Sequence, residues 1–161
     1  VNSTQFSPNR RRIILAAGRR VYILGRYTGQ TILDSLETHA KAVTSVTFAP
    51  NSSYTLSGSH DGTICKWTPM SDHEYPNPLI KHSAPILSFE ISPDGTRLAL
   101  SLETSSVCVH ATHDGQQLFN LIQPEAKQIY FVIFTHDGTQ LVCGSDNKTI
   151  STWDSQTGEA I

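Results

Sequence analysis

The stretch FAPNSSYTLSGSHDGTICKW, residues 48–67, carries Ser57, His60 and Asp61 close together, and His39 stands upstream. These are the ingredients of a nucleophilic triad, so the first decision is between an active site and a polar structural unit. Comparing the stretch with the rest of the chain decides it. Val21, Ile64, Val107 and Ile150 stand 43 residues apart, as do Leu24, Trp67, His110 and Trp153. Phe6, Phe48, Ile91 and Phe134 follow at intervals of 42, 43 and 43, while Gly29, Gly115 and Gly158 recur with Asp72 in the slot between. Four copies of one unit fill the 161 residues.

Each copy reads as strands. Segments 43–49, 86–92 and 129–135 are rich in β-branched and aromatic residues and alternate or run apolar. Turn formers follow them: Pro50-Asn51, Pro93-Asp94-Gly95 and His136-Asp137-Gly138. Second strands at 55–59, 98–102 and 141–145 lead through His60-Asp61-Gly62 or Asp146-Asn147-Lys148 into third strands at 63–67 and 149–153. A weaker fourth strand is expected after the glycine of Thr28-Gly29, Asp114-Gly115 or Thr157-Gly158. No stretch carries a helical period.

This unit resembles the WD40 repeat over essentially the whole chain. The second copy matches most fully, with His39, FAP, LSGS, HDGTI and Trp67; the fourth has FTHDG, CGSDNKTI and the dipeptide Trp153-Asp154. The third keeps His82 and ISPDG but has Thr104 and His110 where Asp and Trp are usual, and the first has Leu24 at the Trp position. The resemblance implies an all-β propeller of four-stranded antiparallel blades, about four of them, at approximately 1–38, 39–80, 81–123 and 124–161. It also implies that His39, Ser57, Asp61 and Trp67 form a buried hydrogen-bonded tetrad rather than a catalytic set. In the fourth copy Glu125, Cys143 and Asn147 fall at the positions of His39, Ser57 and Asp61. A catalytic set would have no reason to echo in this degraded form, and no oxyanion hole or substrate pocket is suggested. No catalytic residue is expected.

Composition sets further bounds. A 38% hydrophobic, 16% charged chain of net charge −2 is an ordinary globular one rather than a strongly basic nucleic-acid binder. No apolar run approaches the roughly 20 residues of a membrane span, and no signal peptide is visible. Cys65, Cys108 and Cys143 lack zinc or disulfide spacing and read as reduced, small hydrophobes. His60, His73, His110, His113 and His136 sit at different slots of different copies, so no metal and no cofactor is expected. The sequons at Asn2, Asn51 and Asn147 are read as coincidental, the last two as turn residues.

Charge alone escapes the repeat. Arg10, Arg11, Arg12, Arg19, Arg20 and Arg26 are six of the twelve basic residues, and no acid stands among the first 26 positions. The resemblance places Arg19, Arg20, Lys41, His60, Glu103 and Asp146 on one face as a candidate partner-binding rim, with Arg10 and Arg11 at the opposite face. The expected function is a non-catalytic protein–protein scaffold or adaptor in the cytoplasm or nucleus. The alternatives are a nucleic-acid- or phospho-ligand-binding module using the basic first blade and, third, a propeller enzyme. Because the resemblance implies seven or so blades, a longer parent with further repeats, or a second copy closing the ring, is expected.

Overall fold

The computed structural model describes residues 1–34, 39–68, 78–122 and 128–161. Asp72, His73 and Glu125 lie outside the described residues. Four antiparallel sheets follow one another along the chain. The first holds β1 (Ser3–Phe6), β2 (Arg12–Ala17), β3 (Arg20–Gly25) and β4 (Thr31–Asp34). The second holds β5 (Val43–Phe48), β6 (Thr55–Ser59), β7 (Thr63–Trp67) and β8 (Pro78–Lys81), ending one residue past the boundary at 80 read from the repeat. The third holds β9 (Ile86–Ile91), β10 (Arg97–Leu102), β11 (Ser106–Ala111) and β12 (Gln117–Ile122). The fourth has three strands, β13 (Ile129–Phe134), β14 (Gln140–Ser145) and β15 (Ile150–Asp154), and a single bridge from Trp153 to Ala160. The chain is all-β, of propeller type, with strands ordered in sequence within each sheet.

One turn chemistry joins the first two strands of every sheet. Asn9, Asn51, Asp94 and Asp137 occupy the same slot, and each side-chain oxygen accepts the backbone N–H two residues on. The hydroxyl of Thr135 and the Thr139 backbone and side chain hold the Asp137 carboxyl down at about 2. The residue after this Asx must take a left-handed conformation: Arg10 (φ 57), Ser52 (φ 60), Gly95 (φ 76) and Gly138 (φ 71). Only the last two are the residue that accepts this at no steric cost.

The described chain packs as two compact units, Val1–Ser83 and Ala84–Ile161, each of two sheets. In the first unit Val43, Val46 and Phe48 of β5 pack on Ile14, Ala16, Val21 and Ile23 of the preceding sheet, all buried. In the second, Ile129, Val132 and Phe134 of β13 pack on Ala99, Val107 and Val109. The same polar latch accompanies both contacts. Gln5 Oε1 accepts the Phe48 backbone N–H at 2.8 Å, and the Glu90 carboxyl accepts that of Phe134. Burial pushes Glu90 above its ordinary value against the pull of that N–H. In the second unit Arg97 adds a further tie: its Nη1 donates to the carbonyl and hydroxyl of Ser155, its Nη2 to the Gly138 carbonyl at 3.3 Å. The guanidinium lies 5.7 Å from the Phe134 ring centroid.

A Cβ on Gly138 would sit 3.3 Å from Pro93 Cδ as well as facing the left-handed penalty. Gly138→Ala is therefore expected to cost about 1–2 kcal/mol in chemical denaturation. Ser52→Gly, at the same slot, should change stability by less than about 1 kcal/mol.

Candidate functional site

His39, Ser57, Asp61 and Trp67 come together across three segments of the second sheet. His39 is fully buried in the approach to β5, Ser57 is mid-β6, Asp61 is in the β6–β7 turn and Trp67 ends β7. Trp67 Nε1 donates to Ser57 Oγ at 2.9 Å, and Ser57 Oγ lies 2.8 Å from His39 Nε2. Because the indole can only donate, the serine hydroxyl accepts from it and is free to donate onward to an unprotonated Nε2. The proton of a neutral imidazole is then on Nδ1, which faces Asp61 Oδ2 at 3.3 Å and Thr63 Oγ1 at 3.0 Å. Asp61 completes the network: Oδ2 accepts the Ala40 N–H at 2.7 Å, and Oδ1 accepts the Thr63 N–H at 2.9 Å and its hydroxyl at 2.6 Å.

The ionisation states follow. Burial pushes the His39 imidazole below its usual 6.5 against the attraction of Asp61. Burial pushes the Asp61 carboxyl up, but bonds from Thr63, Ala40 and His39 outweigh it and leave it below the ordinary range. Asp61 is thus ionised beside a neutral histidine. Ser57 is fully buried and its hydroxyl is engaged on both sides, so it presents no nucleophile to solvent. Thr63 is the member that motif reading missed; its signal is a threonine two places after the turn Asx, repeated at Thr149 after Asn147.

In the fourth sheet the network survives only in part. Asn147 Oδ1 accepts from Ser145 Oγ and from the Thr149 backbone and hydroxyl, repeating the turn. Cys143 stands in the Ser57 slot, fully buried, its thiol pushed up by burial to about 12. Trp153 Nε1 is buried and has no partner among the described residues. In the third sheet Leu100 holds the serine slot and Thr104 the aspartate slot. There His110 replaces tryptophan and donates from Nδ1 to the Gly115 carbonyl at 2.8 Å. The three thiols are buried and free, and burial raises Cys65 and Cys108 to about 11.

The candidate rim divides between the two units. In the first, backbone bonds from Val43 N to Gly18 O and from His60 N to Ala42 O stitch together the loops carrying Arg19, Lys41 and His60. Arg19, Arg20, Lys41 and His60 are all exposed there, and Arg19 Nε donates to the His39 carbonyl at 2.9 Å. Glu103 is exposed in the second unit. Asp146 there is half-buried, and its carboxylate accepts the Gln128 N–H at 3.1 Å.

Two outcomes are expected of this network. Ser57→Ala orphans a buried indole N–H and should lower stability by about 1–3 kcal/mol, whereas Cys143→Ser supplies Trp153 with an acceptor and should raise it by about 1 kcal/mol; denaturant titration of both variants checks this. The pH dependence follows from the depressed histidine. His39 binds its proton more weakly folded than unfolded, so its contribution is intact above the unfolded value of 6.5 and is lost as pH falls below it. His110, lowered by burial against the Gly115 carbonyl, acts in the same direction. The melting temperature should fall from pH 7.5 to 5.5; a flat or rising profile would contradict the assignment.

Comparisons with known proteins agree with this architecture. The family profile "WD domain, G-beta repeat" matches residues 30–68 and 115–154. The chain is similar to WD repeat-containing protein 1 of Xenopus tropicalis, at 26% identity over 83% of this chain and 22% of that protein. It is similar to Periodic tryptophan protein 2 of Saccharomyces cerevisiae at 24% identity, over 83% and 16% respectively. With Pre-mRNA-processing factor 19 homolog 2 of Arabidopsis thaliana the identity is 27%, over 82% and 26%. The chain thus spans about a quarter or less of the length of these relatives. With two matched repeats and four sheets of one pattern, the chain belongs to the WD40-repeat family.

Proposed function

We propose that this chain is a non-catalytic protein-interaction scaffold. Its first unit offers Arg20, Lys41 and His60, with Arg19, to an acidic segment of a partner protein. The observation that carries this reading is the stitching of three loops at one end of the unit, which holds the backbone that bears these exposed side chains in fixed relation. Preorganised charge of this kind favours fast, oriented encounter with a partner of opposite sign. The buried, fully engaged tetrad supports a structural rather than a chemical use of the histidine and serine.

A second reading has one observation in its favour: the absence of any acid among the first 26 residues. Nucleic-acid backbone or a phosphorylated ligand would be drawn to such a surface. The cluster is divided, however. Arg10 and Arg11 precede β2 and Arg19 follows it, so a six-residue strand of about 20 Å separates the two groups.

The test is capture of partners from nuclease-treated lysate by the chain and by a variant carrying Arg20→Glu and Lys41→Glu, leaving Arg19 in its bond to His39. The scaffold reading expects a defined protein captured by the first and lost by the second while the second remains folded by circular dichroism. Capture unaffected by the charge reversal, or capture of nucleic acid alone before nuclease, would refute it.

A further inference from the structure

At the opposite end of the same unit, where β2 and β6 begin, a cleft of about 380 Å³, its open mouth included, lies between the first and second sheets. Ile23, Ile32, Phe48 and Trp67 contribute apolar walls, and Arg12 and Thr55 are its polar residues of interest. Neither side chain has a partner among the described residues. Thr55 is 3% exposed and its Oγ1 has no hydrogen-bond partner, a costly state for a buried hydroxyl. The Arg12 guanidinium, half-buried, has no hydrogen-bond or ionic partner among the described residues.

The repeat shows that both are departures. The Thr55 slot is filled by Ile13, Leu98 and Leu141 in the other three sheets, so a hydroxyl at this slot is peculiar to the second sheet. Arg12 corresponds to Arg97, whose guanidinium is held by Ser155 and the Gly138 carbonyl. In the first unit the counterparts of those residues are Pro69, which has no hydroxyl and lies outside the described residues, and Ser52. Among the described residues Arg12 does not form the tie that consumes Arg97. What remains is a forked cation and a hydroxyl beside an apolar, partly aromatic wall.

We propose that this cleft binds a glutamate side chain of an acidic peptide segment in a partner protein. An Arg guanidinium and a hydroxyl are both donors toward a group that only accepts, and the planar fork suits a carboxylate. The apolar wall would take the methylenes of the side chain that bears it. Arg10, Arg11 and Arg26 stand at the same end, where Arg26 donates to the Arg10 carbonyl and its N–H to the Arg11 carbonyl, so among the described residues the charges beside the cleft are positive. The site is separate from the loops carrying Arg20 and Lys41. It rests on the scaffold reading only in taking the ligand to be a protein segment.

The experiment is a titration of the full chain with acetyl-Leu-Glu-Leu-amide and, separately, with its glutamine counterpart, followed by the two tryptophan indole N–H resonances. Trp67 lines the cleft and Trp153 does not, so the second is an internal control. The glutamate peptide should shift Trp67 saturably and leave Trp153 unmoved, and the glutamine peptide should bind at least about tenfold more weakly. Arg12→Gln should weaken binding by at least about tenfold and Thr55→Val severalfold, while Arg11→Gln, removing the same charge one residue away, should have little effect. Where Arg12→Gln lowers the melting temperature, Thr55→Val decides. The Arg20→Glu, Lys41→Glu variant should bind the peptide normally, so loss of the rim function and loss of this site are read independently. No movement of Trp67, equal binding of the two peptides, or equal loss from Arg11→Gln and Arg12→Gln would overturn the proposal. Displacement of the peptide by inorganic phosphate of higher affinity would overturn the carboxylate assignment.

Discussion

The second sheet is organised about one hydroxyl. Ser57 Oγ receives the proton of Trp67 and faces the unprotonated nitrogen of His39, so a single atom joins the end of β7 to the segment that enters β5. Each side of this chain is buried, and each group would carry a desolvation cost alone. The arrangement is directional: it works with a neutral imidazole protonated on Nδ1, which then meets the ionised Asp61 and the Thr63 hydroxyl. Asp61 in turn fixes the backbone at Ala40 and Thr63, so the polarity of the network ends in the turn that carries His60, beside the loop of Lys41. The side chains that resemble an active site instead hold the exposed loops in register.

The other sheets show what the network can lose. Where Cys143 replaces the serine, the turn around Asn147 persists but the indole of Trp153 is left without an acceptor. In the third sheet Leu100 removes the hydroxyl altogether, and His110 satisfies itself locally on the Gly115 carbonyl. Packing of an inner strand on its preceding sheet, with the Gln5 or Glu90 latch, remains in both units. Apolar burial between sheets therefore sustains the fold where the polar network is incomplete, and the network specifies the geometry of individual loops.

Much of this was legible in residue order, because the contacts that define a blade recur at one period: the Asx turns, the third-strand isoleucine or valine, and the indole. What could not be read were contacts made between neighbouring sheets. Arg12 and Arg97 share a slot, yet only Arg97 meets Ser155 and Gly138 across the seam. The unpaired hydroxyl of Thr55 becomes visible only once β5 and β6 are placed against the first sheet. Likewise Arg19 reads as a free rim charge until its bond to the His39 carbonyl is seen. Charge position is a property of sequence, but charge availability is a property of packing.

The first unit thus carries unlike features at its two ends: stitched, exposed charge beside the tetrad turn, and a partly aromatic cleft with Arg12 and the unpaired Thr55 hydroxyl at the other. Both depend on the second sheet holding its geometry, and so on the proton order of the buried chain. The most direct measurement is the nitrogen-15 spectrum of the His39 imidazole near pH 7. A neutral ring with its proton on Nδ1 and a bare Nε2 accepting from Ser57 is expected. An imidazolium, or a ring protonated on Nε2, would contradict it.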